Sequence, residues 1–331
     1  MRITIVDSDN ESFHEEEAVT AELGIELTRA QATDEQQVIE AAQEADGILV
    51  QYAPITAAVL DALPNLRAIG RYGVGVDTVD VEAATARGIA VCNVPDYGVQ
   101  DVSDHAIALT MSVVRGTVQL DRLVRAGEYG LLPVKPLHRV SSLRFGAVGL
   151  GRIGAATAVK ARALGFTVVG SDPQLEVGAR TADGIEVVDF ETVLATCDVI
   201  SLHVPLLPST HHLIDDAALA RMKDGAVLIN TCRGAVVDTD AVARALSSGH
   251  LKGAGLDVFE QEPLPPESPL LDCPSAVLTP HASWYSEESY SELKRRVTEA
   301  VAAVIRGEAP RDILNPEVLE RPPVGPGEIA C

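Results

Sequence analysis

The sequence predicts an α/β protein of two domains, each built on a doubly wound parallel sheet, and three observations support that fold class. At 331 residues the chain is longer than one hydrophobic core usually organises. Short β-rich runs alternate with helical stretches along both halves, a pattern typical of parallel sheets covered by helices. A hydrophobic fraction of 47% and a charged fraction of 22% are ordinary for a folded globular chain. We therefore expect two domains that flank a cleft.

The first hundred residues are predicted to form one small α/β unit. Apolar, β-rich segments indicate strands at residues 3–6, 47–50 and 66–70. Helical patterns are present at residues 35–45 and 79–87. Strands that alternate with helices in this way predict a parallel sheet.

A long helical pattern follows this unit. Apolar residues recur at helical spacing from Val102 to Val114, and either Asp101 or Ser103 can cap the start of the helix. We interpret residues 101–126 as a helix that links the two domains.

A second α/β series begins after the Pro-containing stretch LLPVKPLH. Its six predicted strands are residues 144–148, 167–171, 199–204, 226–230, 253–258 and 276–279. Six strands separated by helices suit a doubly wound sheet. A last helix is expected at residues 287–306, and the Pro-rich end RPPVGPGEIAC is predicted to be a mobile tail.

Composition excludes several classes of protein. A formal net charge of −22 argues against direct binding to nucleic acid, because that affinity comes largely from Lys and Arg that release counterions. No segment holds eighteen uninterrupted apolar residues and the N-terminus lacks a basic, apolar leader, so we expect neither a membrane span nor secretion. The cysteines form no CxxC pair and no Cys/His cluster, which favours a reducing, cytoplasmic setting without a structural metal. They are Cys92, Cys197, Cys232, Cys273 and Cys331.

A glycine-rich turn is the strongest motif in the second half. In FGAVGLGRIG, Gly149, Gly151 and Gly154 have GxGxxG spacing, directly after an apolar strand and before a helical segment. The first glycine allows a tight turn, the second lets the backbone approach a pyrophosphate, and the third lets helix and strand pack closely. The free N–H groups at the helix start would face the phosphates. The segment therefore predicts a dinucleotide site.

An acidic residue follows the next strand. Asp172 lies 23 residues after Gly149, close to where a carboxylate should accept a hydrogen bond from the adenine ribose 2′-hydroxyl. Without the glycines it could equally be a cap or turn residue before Pro173. With them it predicts NAD as the cofactor, because a carboxylate there repels the 2′-phosphate of NADP.

Three further residues suggest the chemistry. Arg233, Glu262 and His281 occur in that order, each at or near the carboxyl end of a predicted strand, where open α/β sheets bind their ligands. If each is considered alone, Arg233 could be a surface ion-pair arginine, Glu262 a loop acid, and His281 a histidine whose hydrogen bonds are satisfied within the fold. Together they provide the fixed cation and the proton donor that hydride reduction of a 2-oxo acid requires. The adjacent His211 and His212 do not converge on one helix face, and no metal is expected there.

The chain strongly resembles the D-isomer-specific 2-hydroxyacid dehydrogenase family over essentially its whole length. The matching segments are RYGVGVDTVD, CNVPDYG, GAVGLGRIG, SLHVPL, NTCRG, GLDVFEQEP and TPHASWYS. The resemblance implies two Rossmann-like domains and NAD-dependent hydride transfer between a small 2-oxo acid and its D-2-hydroxy acid. It also implies that Arg233 binds the substrate carboxylate and carbonyl, that His281 is the general acid and base, and that Glu262 orients and charges His281. We expect that contact to favour the protonated ring.

The same resemblance implies a set of binding residues. Asp257 would hold the nicotinamide carboxamide, and the backbone amides of Val74 and Gly75 would receive the substrate carboxylate. The other cofactor contacts would be Gly149, Gly151, Arg152, Ile153, Gly154, Asp172, His203, Val204, Pro205, Thr210, Thr231, Cys232 and Ser283. The substrate contacts would be Arg71, Tyr72, Val74, Gly75 and Trp284. His105 is interpreted as a packing or pocket-wall residue.

Within the family, PHASWYSEES is most similar to the C-terminal-binding proteins, NAD-sensing corepressors that retain a dehydrogenase site, and to their bacterial relatives. Trp284 and Arg71 both match that branch, whereas residues 72–75 and 96–98 resemble generic dehydrogenases. The identity of the acid therefore stays open.

The resemblance also implies an organisation and leaves alternatives. Residues 1–97 and 287–331 would form the substrate domain, residues 98–286 the NAD-binding domain, and two copies would pair through the nucleotide domains and the linking helix. One alternative is a non-enzymatic NAD(H)-responsive, corepressor-like binding protein. Another is the same fold acting on formate, phosphite or a phosphonate.

Overall fold

The computed structural model describes residues 1–320, which separate into two compact units. The first comprises Met1–Tyr97 and the chain from Ser286 onward, and the second is Gly98–Tyr285. Ser286 thus falls in the first unit, one residue from the predicted boundary. The Pro-rich segment predicted to be a mobile tail lies outside the described residues.

Within the described part of the first unit, five parallel strands form one sheet in the order β2-β1-β3-β4-β5. The strands are β1 (Arg2–Ile5), β2 (Glu26–Arg29), β3 (Gly47–Val50), β4 (Ala68–Arg71) and β5 (Ala90–Cys92). The helices are α1 (His14–Glu22), α2 (Glu35–Ala42), α3 (Ala57–Ala62), α4 (Val81–Ala86) and, from the far end of the chain, α11 (Glu287–Ile305). Buried Leu49, Val297 and Val301 belong to the core that joins α11 to this sheet. The late helix therefore completes the amino-terminal domain.

The second unit, all of which is described, holds a seven-stranded parallel sheet in the order β12-β11-β10-β9-β6-β7-β8. Its helices are α5 (Val99–Arg115), α6 (Thr117–Arg125), α7 (Arg152–Ala163), α8 (Phe190–Thr196), α9 (Asp216–Arg221) and α10 (Thr239–Ser248). Its strands are β6 (Arg144–Val148), β7 (Thr167–Ser171), β8 (Glu186–Val187), β9 (Val199–Leu202), β10 (Ala226–Asn230), β11 (Leu251–Leu256) and β12 (Ala276–Leu278). The chain runs outward from β6 through β7 to β8 and then returns to β9 on the other side of β6. The crevice beyond the carboxyl ends of β6 and β9 is therefore the topological switch point, where such sheets bind ligands.

The predicted linking helix is in fact two helices. Helix α5 begins after Gly98 and ends at Gly116, whose φ of +61° is left-handed, and α6 follows at once. The predicted cap was wrong, because Asp101 lies inside the first turn, where its negative charge favours the positive end of the helix dipole. Ser103 is also inside the helix, and its hydroxyl donates to the carbonyl of Val99.

No helix within residues 1–320 is long and apolar enough to cross a membrane. The same residues contain no group of three or more His, Cys, Asp or Glu side chains that could hold a metal ion.

Candidate active site

The glycine turn lies between β6 and α7 and is closed on one side. Gly149 has φ +90°, and a Cβ there would lie 2.4 Å from the carbonyl oxygen of His203. A Cβ on Gly154 would lie 1.9 Å from the carbonyl oxygen of Gly149, so only glycine fits at either position. A Cβ on Gly151 would meet nothing within 4 Å. The turn is thus closely packed at Gly149 and Gly154 and open at Gly151, as the binding of a pyrophosphate at a helix N-terminus requires.

Asp172 is fixed beside this turn. It follows β7, and its carboxylate accepts the N–H of Leu150 at 2.9 Å and the N–H of Gln174 at 2.9 Å. The first bond ties the acid to the glycine turn itself. Arg152 and Ile153 open α7 directly after the turn. The predicted ribose-binding acid and the predicted phosphate-binding turn are therefore one local structure.

Two buried polar atoms near the switch point have no hydrogen-bond partner among the described residues. They are Nδ1 of His203, which follows β9, and Oγ1 of Thr231, which follows β10. Buried polar atoms normally have partners, so each is suited to contact a ligand. Burial also lowers the pKa of His203 to about 4, which leaves its ring neutral at working pH. These two atoms without partners and the open space at Gly151 fit a bound dinucleotide.

The remaining cofactor candidates shape the loops around this crevice. Thr210 closes the turn that begins at Pro205, because its hydroxyl donates to the Pro205 carbonyl at 2.6 Å and accepts the N–H of Leu207 at 2.8 Å. Val204 lies between His203 and this turn. Cys232 directs its thiol to Oδ1 of Asn230 at 3.1 Å, and burial raises the pKa of that thiol.

The acid–base pair predicted from the sequence is in contact. His281 Nδ1 lies 2.7 Å from Glu262 Oε2, and the two side chains are 33% and 34% exposed. The other carboxylate oxygen of Glu262 accepts the N–H of Phe259 at 2.9 Å. Burial alone would raise the pKa of Glu262, but the hydrogen bond and charge of His281 and the Phe259 N–H bring it below the ordinary value. Glu262 is therefore a carboxylate at neutral pH, and it engages Nδ1 of His281.

Buried Asp257 holds the turn that carries His281. Its side chain is fully buried and accepts the Thr279 hydroxyl at 2.6 Å, the Ala282 N–H at 2.9 Å and the Ser283 N–H at 2.9 Å. The N–H of His281 donates to the Asp257 carbonyl at 2.7 Å. His281 has φ +53°, an uncommon conformation for a residue other than glycine, and these bonds maintain it. Sequence reasoning gave Asp257 and Ser283 to the cofactor and missed this structural role.

His105, on α5, touches the same network. Its Nε2 lies 3.0 Å from Oγ1 of Thr279 and 3.6 Å from Oδ1 of Asp257. The residue interpreted as a packing or pocket-wall residue thus also supports the turn that carries His281.

Arg233 lies in a turn made by the buried side chain of Asn230. The Asn230 amide donates to the Arg233 carbonyl at 2.9 Å, and its oxygen accepts the N–H of Cys232 at 3.1 Å. Gly234 comes next, and a Cβ there would lie 1.9 Å from the carbonyl carbon of Phe259. The turn of Arg233 therefore packs directly on the loop that carries Glu262.

The order of the strands explains how these groups share one sheet edge. Arg233, Asp257 and His281 follow β10, β11 and β12, which are neighbours. The glycine turn and His203 follow β6 and β9, which are also neighbours and adjoin β10. One edge of the sheet thus carries the residues predicted to bind the dinucleotide on one side and the predicted acid–base residues on the other.

The predicted substrate residues of the first unit surround the end of β4. Val74 is 40% exposed, and its carbonyl accepts the side-chain amide of Asn93 at 2.6 Å, which holds the 73–75 loop. The Arg71 guanidinium lies over Gly73. Burial raises the pKa of the Asp7 carboxyl, and the charge of Arg71 offsets only part of that rise.

Tyr72 corrects one expectation. Its side chain is only 4% exposed, and its hydroxyl donates to Oε1 of Glu16 at 2.8 Å inside the core of the first unit. Burial and the Glu16 carboxylate raise the pKa of this phenol well above its usual value. Tyr72 therefore cannot offer its side chain to a substrate, and only its main chain remains available. Trp284, in the second unit, stacks edge-on to Tyr285 with ring centroids 5.6 Å apart.

Comparison with known proteins gives concordant relatives. A family model described as D-isomer specific 2-hydroxyacid dehydrogenase, NAD binding domain, matches residues 107–283. A glyoxylate reductase from Korarchaeum cryptofilum is 42% identical over 291 residues, which cover 86% of this chain and 88% of that protein. A D-3-phosphoglycerate dehydrogenase from Mycobacterium leprae is 37% identical over 302 residues, 90% of this chain and 57% of that protein. The crystal structure of a D-lactate dehydrogenase from Aquifex aeolicus, complexed with NAD and lactic acid, superimposes with a TM-score of 0.82 at 27% identity and covers 97% of this chain and 98% of that one.

Proposed function

The chain belongs to the D-isomer specific 2-hydroxyacid dehydrogenase family, and from that premise we propose how its residues divide the work of the reaction. It is an NAD-dependent enzyme that interconverts 2-oxo acids and D-2-hydroxy acids. The proposal rests above all on the 2.7 Å contact between His281 Nδ1 and Glu262 Oε2. That pair lies on the same sheet edge as a glycine turn suited to a dinucleotide.

Reduction needs a hydride, which bound NADH supplies, and a proton for the forming alkoxide. Protonated His281 gives that proton from Nε2, because Nδ1 is committed to Glu262. Glu262 remains ionised, so it stabilises the imidazolium and fixes the plane of the ring. Arg233 contributes a planar cation that pairs with the substrate carboxylate through two parallel hydrogen bonds. In the oxidative direction the neutral ring of His281 takes the hydroxyl proton.

The substrate proposed is a small 2-oxo acid. The wild-type enzyme with NADH should reduce glyoxylate or pyruvate, and with NAD it should oxidise D-lactate in preference to L-lactate. D-3-phosphoglycerate belongs in the same panel because one relative carries that name. Absorbance of NADH at saturating cofactor measures each rate. If the protein binds NADH but turns over none of these acids, the proposed substrate class is refuted.

His281→Ala separates catalysis from cofactor binding. It should abolish most turnover at every pH, yet leave NADH binding near the wild-type affinity, because the glycine turn and Asp172 are untouched. Fluorescence of bound NADH measures the second property. A variant that still turned over at the wild-type rate would remove His281 from the mechanism.

We further propose a homodimer, paired through the second unit. None of the nine residues of α6, all of them described, is buried, and the segment after it exposes large apolar side chains. Tyr129 is 88% exposed, Leu132 83% and Leu131 56%. A second copy that covers this segment would remove that apolar surface from water. Membership of the corepressor-like branch and a cytoplasmic setting also stay predictions. The cysteines at the described positions are free, which agrees with a reducing setting.

Light scattering on a size-exclusion column tests the dimer. Leu132→Asp should convert a dimer to a monomer at micromolar concentration, whereas Leu164→Asp, at a residue 46% exposed on the end of α7, should not. A wild-type protein that elutes as a monomer would contradict the proposal.

A further inference from the structure

A second histidine–glutamate pair joins the loop that carries Glu262 to the segment before α9. Nε2 of His212 is 2.6 Å from Oε1 of Glu260, and each side chain is 33% exposed. The other carboxylate oxygen of Glu260 accepts the N–H of Thr239 at 2.9 Å, at the first residue of α10. One carboxylate thus joins three segments of the second unit: the approach to α9, the start of α10 and the 259–263 loop.

The backbone around Glu260 is coupled to the catalytic pair. Phe259 and Glu260 lie so close to Gly234 that a Cβ on the glycine would be 1.9 Å from the carbonyl carbon of Phe259 and 2.4 Å from the nitrogen of Glu260. The Phe259 N–H in turn holds one oxygen of Glu262 at 2.9 Å, and the other oxygen meets His281. A shift of Glu260 would therefore move the group that orients His281.

The backbone conformation of His212 indicates that its contact with Glu260 is a fixed part of the fold. Among residues 1–320, the non-glycine residues with positive φ are His212, at 48°, and His281, at 53°. Each is a histidine bonded to a glutamate of the same short loop. The N–H of His212 donates to the carbonyl of Ala235 at 2.8 Å, which fixes the strained turn and aims the ring at Glu260.

The charge on Glu260 is also maintained. Burial raises the pKa of this carboxyl, but hydrogen bonds from Thr239 and His212 outweigh it and lower the pKa below the usual value. The start of α10 adds a helix N-terminus, where a negative charge is favoured. Glu260 therefore keeps its negative charge through the neutral range.

We propose that His212 and Glu260 are a positioning pair, which holds the 259–263 loop so that Glu262 meets His281. The inference rests on the proposed catalytic roles of Glu262 and His281. Neither His212 nor Glu260 touches the reacting atoms; they act through Glu262. Loss of the pair should therefore reduce kcat by about tenfold and leave the KM for NADH unchanged, because misplaced groups slow the chemical step.

Three variants of the full chain test this at saturating NADH. Glu260→Ala should show the tenfold loss, and Glu260→Gln should recover most of it, because an amide still accepts from Thr239. Gln261→Ala, in the same exposed stretch of loop, is the matched control and should keep full activity. If Glu260→Ala does not fold, His212→Asn replaces it, since asparagine tolerates positive φ and removes the ring.

A double-mutant comparison separates positioning from general destabilisation. In a Glu262→Gln background, Glu260→Ala should cost less than about twofold further, because its effect passes through the lost carboxylate. A full tenfold loss in that background would overturn the proposal.

A readout without substrate separates this inference from the proposed function. The Nδ1 proton of His281, assigned with His281→Ala, should give a downfield NMR signal in the wild type that broadens or moves in Glu260→Ala. An unchanged signal would overturn the positioning pair. Wild-type protein with the signal but without turnover on any acid would refute the proposed function alone.

Discussion

Replacing Gly234 with alanine should disable the enzyme through a single methyl group. Gly234 directly follows Arg233, and the new Cβ would lie 1.9 Å from the carbonyl carbon of Phe259, 2.0 Å from its oxygen and 2.4 Å from the nitrogen of Glu260. All three are backbone atoms, which cannot rotate away as a flexible side chain can. Either the Arg233 turn or the 259–263 loop must move.

The size of the movement follows from the contact. Ordinary packing places a Cβ at 3.4 Å or more from a heavy atom, so the Arg233 turn and the 259–263 loop must separate by about 1.5 Å to relieve the 1.9 Å contact. The separation displaces either Arg233 or the Phe259 N–H that holds Glu262. A misplacement of about 1 Å commonly costs about 100-fold in rate, which corresponds to about 2.7 kcal/mol of transition-state free energy. We therefore expect kcat/KM to fall by about two orders of magnitude.

The assay is 2-oxo-acid reduction at saturating NADH, together with NADH binding by fluorescence and thermal unfolding by circular dichroism. Binding should stay within about threefold of wild type, because the Gly149 turn follows β6, which β9 separates from β10, and it takes no part in the clash at Gly234. Gly130→Ala is the matched control, since a Cβ there meets nothing within 4 Å. Activity within threefold of wild type in Gly234→Ala would refute the argument that close packing at this glycine sets the catalytic geometry.

Further variants test the individual roles. Glu262 has a lowered pKa, so its charge is present at neutral pH and is lost only as the pH falls through that pKa. Glu262→Gln removes the charge at every pH, so the pH at which reduction falls to half should move lower. An unmoved profile of kcat/KM against pH would contradict this role. Arg233→Lys should lose at least about 100-fold in kcat/KM because an ammonium cannot make the paired planar contact, and wild-type turnover would make Arg233 structural. Asp172→Asn should raise the NADPH-to-NADH efficiency ratio at least about tenfold, and equal use of both cofactors by the wild type would refute the ribose assignment.

Several elements could be predicted from the sequence because their signals are local. Strands β6, β7 and β10 begin and end at the predicted residues, since each is a buried apolar run between turn residues. The strands that the sequence analysis missed, β2, β5 and β8, all lie at the edge of a sheet. An edge strand is paired on one side only and can be short or partly exposed: β2 is the polar ELTR and β8 has two residues. Their pairing comes from a neighbour distant in sequence, which periodicity does not detect.

The same division applies to the site. The glycine turn could be predicted because a tight turn, close approach and helix start all fall within six residues. The contact between Glu262 and His281 could be anticipated only through the resemblance to a family, since 19 residues separate them. The inward direction of Tyr72 depends on Glu16, and the pairing of Glu260 depends on His212, 48 residues away. Such contacts are set by the packing of strands and loops, and no local pattern encodes them.

The positions of strain in the second unit give a reason for this long-range organisation. A left-handed conformation costs a residue other than glycine about 1–2 kcal/mol, and both His281 and His212 adopt one. Such strain persists only where the surroundings fix it more than once. Around His281 they do: fully buried Asp257 takes three hydrogen bonds from the turn, its carbonyl takes a fourth from the His281 N–H, and Glu262 holds the ring. The free energy of folding thereby orders the His281 ring in advance, so in the proposed mechanism the reaction need not provide that ordering.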